Sequence, residues 1–227
     1  NTYNSKLIKK IQLTNTVFEF QFEKPAHFNF IPGQFVQVHI PNQDKSITRA
    51  YSIYTQPTDM YLGLCIHIIP SGKGSEYFFN LPEGDFIKFS QAKGHFISKN
   101  IQTNQIFIAT GVGLAAIYPI IKQLLHTNLK QNIQLLFGVR NTTDIFWLDK
   151  LEDLKKNHNN FNFTITLSQN KDERCIYKTG RVTKHIEDFI EKSSHYFICG
   201  SPQMIKDIRK QLIESNISME QIHFEIF

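Results

Sequence analysis

Residues Ile106–Gly113 read IFIATGVG, a short apolar run that ends in a Gly-x-Gly turn. Ile106–Ala109 has the length of a buried strand, and Leu114–His126 beyond the turn is long and apolar enough for a helix. A strand that passes through glycines into a helix is a unit of α/β architecture, and in such sheets ligands bind beyond the carboxyl ends of the strands. Glycines let a phosphate approach the backbone, and a helix N-terminus favours its negative charge. The third glycine of the usual dinucleotide fingerprint is replaced by Ala115-Ala116, and no Gly-Lys-Ser/Thr follows, so this is not a Walker-type loop. The turn alone fits a tight connection as well as a nucleotide site.

The same alternation continues downstream. Ile133–Val139 reads as a strand and Phe146–Asn157 as a helix with Trp147, Leu148, Leu151 and Leu154 on one face. Phe161–Leu167 is again a strand, Val182–Ile190 a helix, Tyr196–Cys199 a strand, Pro202–Glu214 a helix and Ile222–Ile226 a closing strand. This predicts a parallel, Rossmann-like sheet covered on both faces. Upstream of about residue 100 the period is two: Val17–Glu23 (VFEFQFE) and Gln34–Ile40 (QFVQVHI) alternate, and Arg49–Tyr54, Leu62–Ile69 and Asp85–Ser90 are β-rich. These predict an antiparallel barrel or sandwich with one short helix at Ser75–Leu81. The polar stretch Ser98–Gln105 marks the expected boundary, dividing the chain into residues 1–100 and 101–227.

The 227 residues are 41% apolar and 20% charged, enough to build a core. Cys65, Cys175 and Cys199 are too few for a disulfide framework, a four-cysteine zinc site or a cysteine-held iron–sulfur cluster within these residues, and no metal site is expected. The net charge of +5 is spread without a basic run, which argues against nucleic acid and leaves a mild field that suits an acidic protein partner. Phe107–Ile121, the most apolar stretch, is broken by Thr110, Gly111, Gly113 and Pro119, so no membrane span is expected. The chain opens at Asn1 with no leader pattern, and the expected location is the cytoplasm.

Two features of the first half bear on chemistry. Arg49-Ala50-Tyr51-Ser52 lies on an expected strand, where alternation sets Arg49 and Tyr51 on one side and Ser52 on the other. A guanidinium suits a phosphate, and a tyrosine ring suits a planar ligand. Ser71-Gly72-Lys73-Gly74-Ser75 precedes the short helix and offers backbone N–H groups to an anion. Cys199, where a late strand meets a helix, reads either as a buried thiol or as a group facing the crevice.

Taken in order, these pieces resemble the ferredoxin–NADP reductase superfamily over nearly the whole chain. Arg49-Ala50-Tyr51-Ser52 is similar to its Arg-x-Tyr-Ser flavin motif, and Gly72–Ser75 to its Gly-x-x-Ser motif. Gly94-His95-Phe96, Thr110–Gly113, Phe137–Arg140, Leu167–Gln169, Gly180–Val182 and Cys199–Pro202 follow in family order. The resemblance implies an antiparallel Greek-key flavin-binding barrel followed by a nucleotide-binding domain, with FAD and NADH or NADPH as cofactors. It implies that Arg49 holds the flavin diphosphate, Tyr51 packs on the isoalloxazine and Ser52 lies near its N5. Ala50, His67, Ile68, Gly72, Lys73, Gly74 and Ser75 complete the flavin contacts. The nicotinamide nucleotide falls to Thr110, Gly111, Gly113, Arg140, Ser168, Arg181, Gly200 and Pro202, with Cys199 beside its reacting ring. Glu225 borders the active site, and Phe227 covers the flavin. Ser52, Cys199 and Glu225 are thus the catalytic candidates, as positioning and electrostatic groups.

NADP-binding members often carry Ser-Arg where this chain has Ser168-Gln169, so the resemblance leans to NADH. It implies a monomeric reductase module whose electrons go to a ferredoxin- or flavodoxin-like protein. The rival readings are a free-flavin reductase, the reductase component of an oxygenase system, and a non-catalytic subunit that keeps the fold as a platform.

Overall fold

The computed structural model describes residues 2–42, 47–98, 102–127, 130–170, 172 and 174–226. The first half contains strands β1 (Thr2–Gln12), β2 (Val17–Glu23), β3 (Phe35–Ile40), β4 (Ile47–Ser52) and β5 (Tyr61–His67), helix α1 (Lys73–Asn80) and strand β6 (Phe86–Ser90). The second half runs β7 (Gln105–Thr110), α2 (Leu114–His126), β8 (Ile133–Val139), α3 (Leu148–Asn157), β9 (Phe161–Leu167), β10 (Lys178–Thr179), α4 (Val182–His185), β11 (His195–Gly200), α5 (Pro202–Glu214) and β12 (Ile222–Ile226).

The first sheet is antiparallel in the order β4-β3-β6-β1-β2-β5. A bridge between Ile53 and Leu64 draws its two edges together into a barrel. Phe20, Phe22, Val36, Val38, Leu62, Leu64 and Phe89 fill the interior, as alternation at period two requires. The second sheet is parallel in the order β10-β9-β8-β7-β11-β12. Its central strands β7, β8 and β11 are buried on both sides, against α2 and α3 on one face and α4 and α5 on the other.

Local differences from the expected elements have physical reasons. β1 is long yet shows no clean alternation, because its register shifts between Leu7 and Lys9 where it passes from β6 to β2. α1 begins two residues early, at Lys73, since the glycines are part of its first turn. α3 begins at Leu148 because Trp147 adopts a left-handed backbone, φ 57°. Val182–Ile190 is not one helix: after His185 the chain tightens into a 3-10 turn, which still buries Val182, Ile186 and Phe189. The expected boundary at Ser98–Gln105 includes residues 99–101, which lie outside the described residues.

The two halves share a core. Val17, Tyr54 and Cys65 of the barrel and Phe96 after it are buried together with Leu114, Ile117 and Ile120 of α2 and Trp147. Gln56 adds a hydrogen bond from its side-chain amide to the Pro119 carbonyl, 2.8 Å. Gly33 lies against this core: at φ +98°, a Cβ there would lie 1.9 Å from the Phe96 carbonyl oxygen and 2.8 Å from Ile120 Cδ1. Gly33→Ala therefore combines a strained backbone with a clash against backbone. It should destabilise the protein by at least ~2 kcal/mol, read as a lower midpoint in urea unfolding.

Candidate functional site

Two cavities open where the halves meet. One, of about 640 Å³, lies on the barrel side and is lined by Arg49, Ala50, Tyr51, Ser52, His67 and Gly72–Ser75, with Glu225 reaching in from β12. The other, of about 620 Å³, lies over the carboxyl ends of β7, β8 and β9 and is lined by Thr110, Gly111, Arg140, Ser168 and Arg181. His67 and Val112 belong to both walls. The two groups of expected residues, far apart in the chain, therefore line adjoining cavities.

On the barrel side, β4 pairs with β3 through Val36↔Tyr51 and Val38↔Arg49. Tyr51 stands edge-on to Phe78 with ring centres 4.9 Å apart, and burial pushes its hydroxyl up to about 12 against the opposing charge of Arg49. A Cβ on Gly74 would lie 2.4 Å from that hydroxyl, so only glycine lets the tyrosine lie across the start of α1. Lys73 Nζ donates to Asn42 Oδ1 at 2.7 Å. Ser75 Oγ accepts from the Ile69 N–H at 3.0 Å and so closes the loop before the helix. Arg49 is exposed and donates to the Thr48 carbonyl at 2.9 Å.

The start of α1 has no side-chain cap, and neither does the 3-10 turn Gly111–Gly113 that leads into α2. α5 differs, for its first turn is capped by its own Ser201. Uncapped helix starts leave backbone donors free, and here both face a cavity. A Cβ at Gly111 (φ +52°) would meet no atom within 4 Å, so open space adjoins the backbone there. Thr166 Oγ1, in the wall of the second cavity, is buried with no partner. These features fit a diphosphate-bearing ligand in each cavity: Arg49 and the Lys73–Ser75 amides on the barrel side, Gly111, Val112 and Thr166 on the other.

The second cavity mixes charges. Arg140, Arg181, Asp144 and Asp207 all line it. The Ser168 and Gln169 N–H groups donate to the Val139 and Arg140 carbonyls at 3.0 and 2.9 Å, which fixes this loop against β8. Desolvation, and next the Arg140 charge, lower the His67 pKa and favour its neutral ring.

Several expected contacts lie behind the walls. Cys199 is fully buried in the shared core and lines neither cavity; burial and next the charge of Glu225 raise its pKa, keeping the thiol protonated. Gly200 is packed against Thr110, where a Cβ would lie 2.2 Å from Oγ1. Gly113 is buried in the turn, and Pro202 is the first residue of α5; Ser201 and Gln203 line the cavity instead. Ile68 is tied through its N–H to the Thr16 carbonyl, 2.7 Å, while its neighbour Ile69 lines the barrel-side cavity. Phe227 lies outside the described residues. Thr14, Thr16 and Val17, at the turn into β2, were not anticipated, although they line the second cavity. Their only signal was a polar turn before an alternating strand.

Glu225 has one oxygen, Oε2, buried without a partner. It stands beside Cys199 in the β11–β12 pairing.

Residues 4–97 match the oxidoreductase FAD-binding domain, and residues 107–210 match the oxidoreductase NAD-binding domain. Fold, paired cavities and tandem domains place the chain in the class of proteins built from an oxidoreductase FAD-binding domain followed by an oxidoreductase NAD-binding domain. The chain belongs to the ferredoxin–NADP reductase superfamily. It is 29% identical over 229 residues to the flavodoxin/ferredoxin–NADP reductase of Buchnera aphidicola, covering 95% of this chain and 92% of that protein. It is 29% identical over 234 residues to the phenol hydroxylase P5 protein of Acinetobacter pittii, covering 99% of this chain but 65% of that longer protein. A ferredoxin NADP+ reductase from Neisseria gonorrhoeae with bound FAD and NADP superposes with a TM-score of 0.90 at 21% identity, over 99% of this chain and 98% of that one. Among the described residues no helix is long and apolar enough to cross a membrane, and no group of three or more His, Cys, Asp or Glu is placed to hold a metal.

Burial pushes the Glu225 carboxyl from its ordinary value near 4.5 up to about 7. The folded state then holds a proton that the unfolded chain gives up. Stability from this group is therefore greatest at low pH and is lost as pH rises from about 4.5 to about 7, an effect on the order of 3 kcal/mol. Glu225→Gln should flatten that slope and exceed the wild type in stability above neutral pH, measured by urea unfolding across the range.

Proposed function

We propose that the chain is an FAD-dependent oxidoreductase that takes hydride from NADH or NADPH and passes electrons to a protein acceptor of the ferredoxin or flavodoxin kind. The observation that carries this reading is the junction of the two cavities at His67 and Val112. In this reading residues 1–100 serve the flavin and residues 101–227 the nucleotide. Arg49 pairs with the flavin diphosphate and the α1 amides cradle it, while Tyr51 supports the ring system from beside Ser52. Thr110, Gly111, Arg140, Ser168 and Arg181 hold the nucleotide. When bound, the nicotinamide supplies two electrons as hydride and the flavin accepts them for onward transfer. The chain's own task is to align the reacting rings and to keep water from them. Glu225 puts a carboxyl of near-neutral pKa at the flavin cavity, suited to hold or release a proton there. Cys199, one layer beneath, supports this wall by packing.

The presence of Asp144 and Asp207 beside Arg140 and Arg181 in the lining of one cavity, and Gln169 in the loop, favour NADH. Two carboxylates oppose the extra phosphate of NADPH, which Gln169 meets without charge. A second reading, the reductase component of an oxygenase system, draws support from the likeness to the phenol hydroxylase protein. It differs in the acceptor, not in the chemistry at the two cavities.

An absorbance spectrum of the purified protein, followed by anaerobic titration with NADH, tests the proposal. A flavin spectrum that bleaches supports it, and a flavin that neither nucleotide reduces overturns it. Arg49→Ala should lower FAD occupancy at least fivefold; unchanged occupancy would remove Arg49 from the phosphate site. Turnover with NADH should exceed that with NADPH at equal low concentration by about tenfold, equivalent to ~1.4 kcal/mol, and a reversed ratio would refute the assignment.

A further inference from the structure

We infer that Glu19 is a positioning residue for hydride transfer, its buried carboxylate tying the barrel to the parallel-sheet half beneath the junction of the two cavities. The inference rests on the flavin and nicotinamide reading of those cavities. Glu19 is only 4% exposed. Its Oε1 accepts from the indole N–H of Trp147 and from Lys150 Nζ at 2.8 Å. Its Oε2 accepts from the Tyr54 hydroxyl at 3.1 Å. Tyr54 belongs to the barrel, whereas Trp147 and Lys150 stand at the start of α3. The ammonium of Lys150 also lies 4.6 Å from the centre of the Trp147 ring and 5.3 Å from that of Tyr54.

A buried ion pair adds little net stability but penalises arrangements that separate its members. Three donors from two domains on one carboxylate therefore select one relative placement of the halves. Trp147 reaches this carboxylate from a left-handed backbone, φ 57°, a conformation disfavoured for a bulky side chain. Its ring is packed against Tyr54, Tyr118 and Phe146.

Three of the four members, Glu19, Tyr54 and Trp147, lie one or two residues from a residue of a cavity wall. Val17, on the same face of β2 as Glu19, lines the nucleotide cavity and pairs with His67, which lines both. Cys65 pairs with Glu19 itself and lines the flavin cavity. Ser52, two residues before Tyr54, lines the flavin cavity, and Phe146, next to Trp147, lines the other. A change in this cluster thus passes directly to the separation of the two walls, on which alignment for hydride transfer depends steeply.

The test uses the whole chain with its flavin, mixed anaerobically with excess NADH or NADPH in a stopped-flow instrument. Glu19→Gln keeps the shape and an acceptor but removes the charge. Lys150→Met removes the cation from a side chain that is 32% exposed, and carries the test should Glu19→Gln not fold. Expected is flavin content and nucleotide Kd within about threefold of wild type. The limiting rate of flavin bleaching should be at least ~10-fold lower in Glu19→Gln and lower in Lys150→Met. The emission of Trp147, the one tryptophan of the sequence, should shift to the red in Glu19→Gln. Bleaching within twofold of wild type in both variants, with only a lower melting temperature, would overturn the inference and leave Glu19 a structural group. A wild-type flavin bleached by neither nucleotide would overturn the functional reading instead. An unchanged Trp147 emission would separately overturn the tie between the halves.

Discussion

The shared core between barrel and parallel sheet is the constraint on which the other features depend. A parallel sheet offers ligands only the carboxyl ends of its strands, and a barrel offers only its rim. Neither position is useful for transfer between two ligands unless one faces the other. The residues that bring them together are apolar and contiguous: Val17, Tyr54, Cys65 and Phe96 bury against α2. α2 contributes ten buried residues from Leu114 to Leu125, so it is less a surface helix than the wall between the halves. Its N-terminal turn, Gly111–Gly113, is held at the rim by this packing.

Polar groups at the same interface play a different part. Apolar packing falls off slowly with small shifts, so it fixes contact more firmly than it fixes register. The hydrogen bonds to Glu19 and from Gln56 to the Pro119 carbonyl are directional and short-ranged. They stand where the barrel must be placed along and around α2 and α3. Gly33 adds a steric counterpart: its missing side chain leaves room for the Phe96 carbonyl and, across the interface, for Ile120 of α2.

The periodicity was legible because each half buries its strands differently. Period two survives in β3, whose inner residues alone are fully buried, and in the sequence of β2, although Val17 and Glu19 on its other face are buried too; continuous apolar runs mark β7 and β11, which are covered on both faces. β1 escaped notice because its register shift puts successive parts of one strand in different surroundings. In the site, residues carried on strand ends and glycine turns, such as Arg49, Ser52, Gly111 and Arg140, emerged at cavity walls. Depth is not encoded in a motif: Cys199 and Gly200 line neither cavity, Cys199 being fully buried and Gly200 packed against Thr110. The Glu19 cluster has no local pattern at all, since its members are 35, 128 and 131 residues apart.

The distribution of unsatisfied groups completes the physical account. An unpaired buried polar atom costs about 1–3 kcal/mol. Two such atoms, Thr166 Oγ1 and Glu225 Oε2, belong to residues that line the two cavities, one in each. The α1 and Gly111–Gly113 starts are likewise left without side-chain caps, although the chain caps α5 with Ser201. The start of α5, which borders the second cavity through Ser201, is by contrast satisfied from within. Around the junction donors and acceptors stay open on rigid elements, which is the condition for binding a polar ligand without first breaking an internal bond. Such openness is affordable only because the apolar interface behind it is continuous. Stability and function are thus divided between two layers of one contact, with Thr110, Tyr54 and Cys65 at the boundary between them.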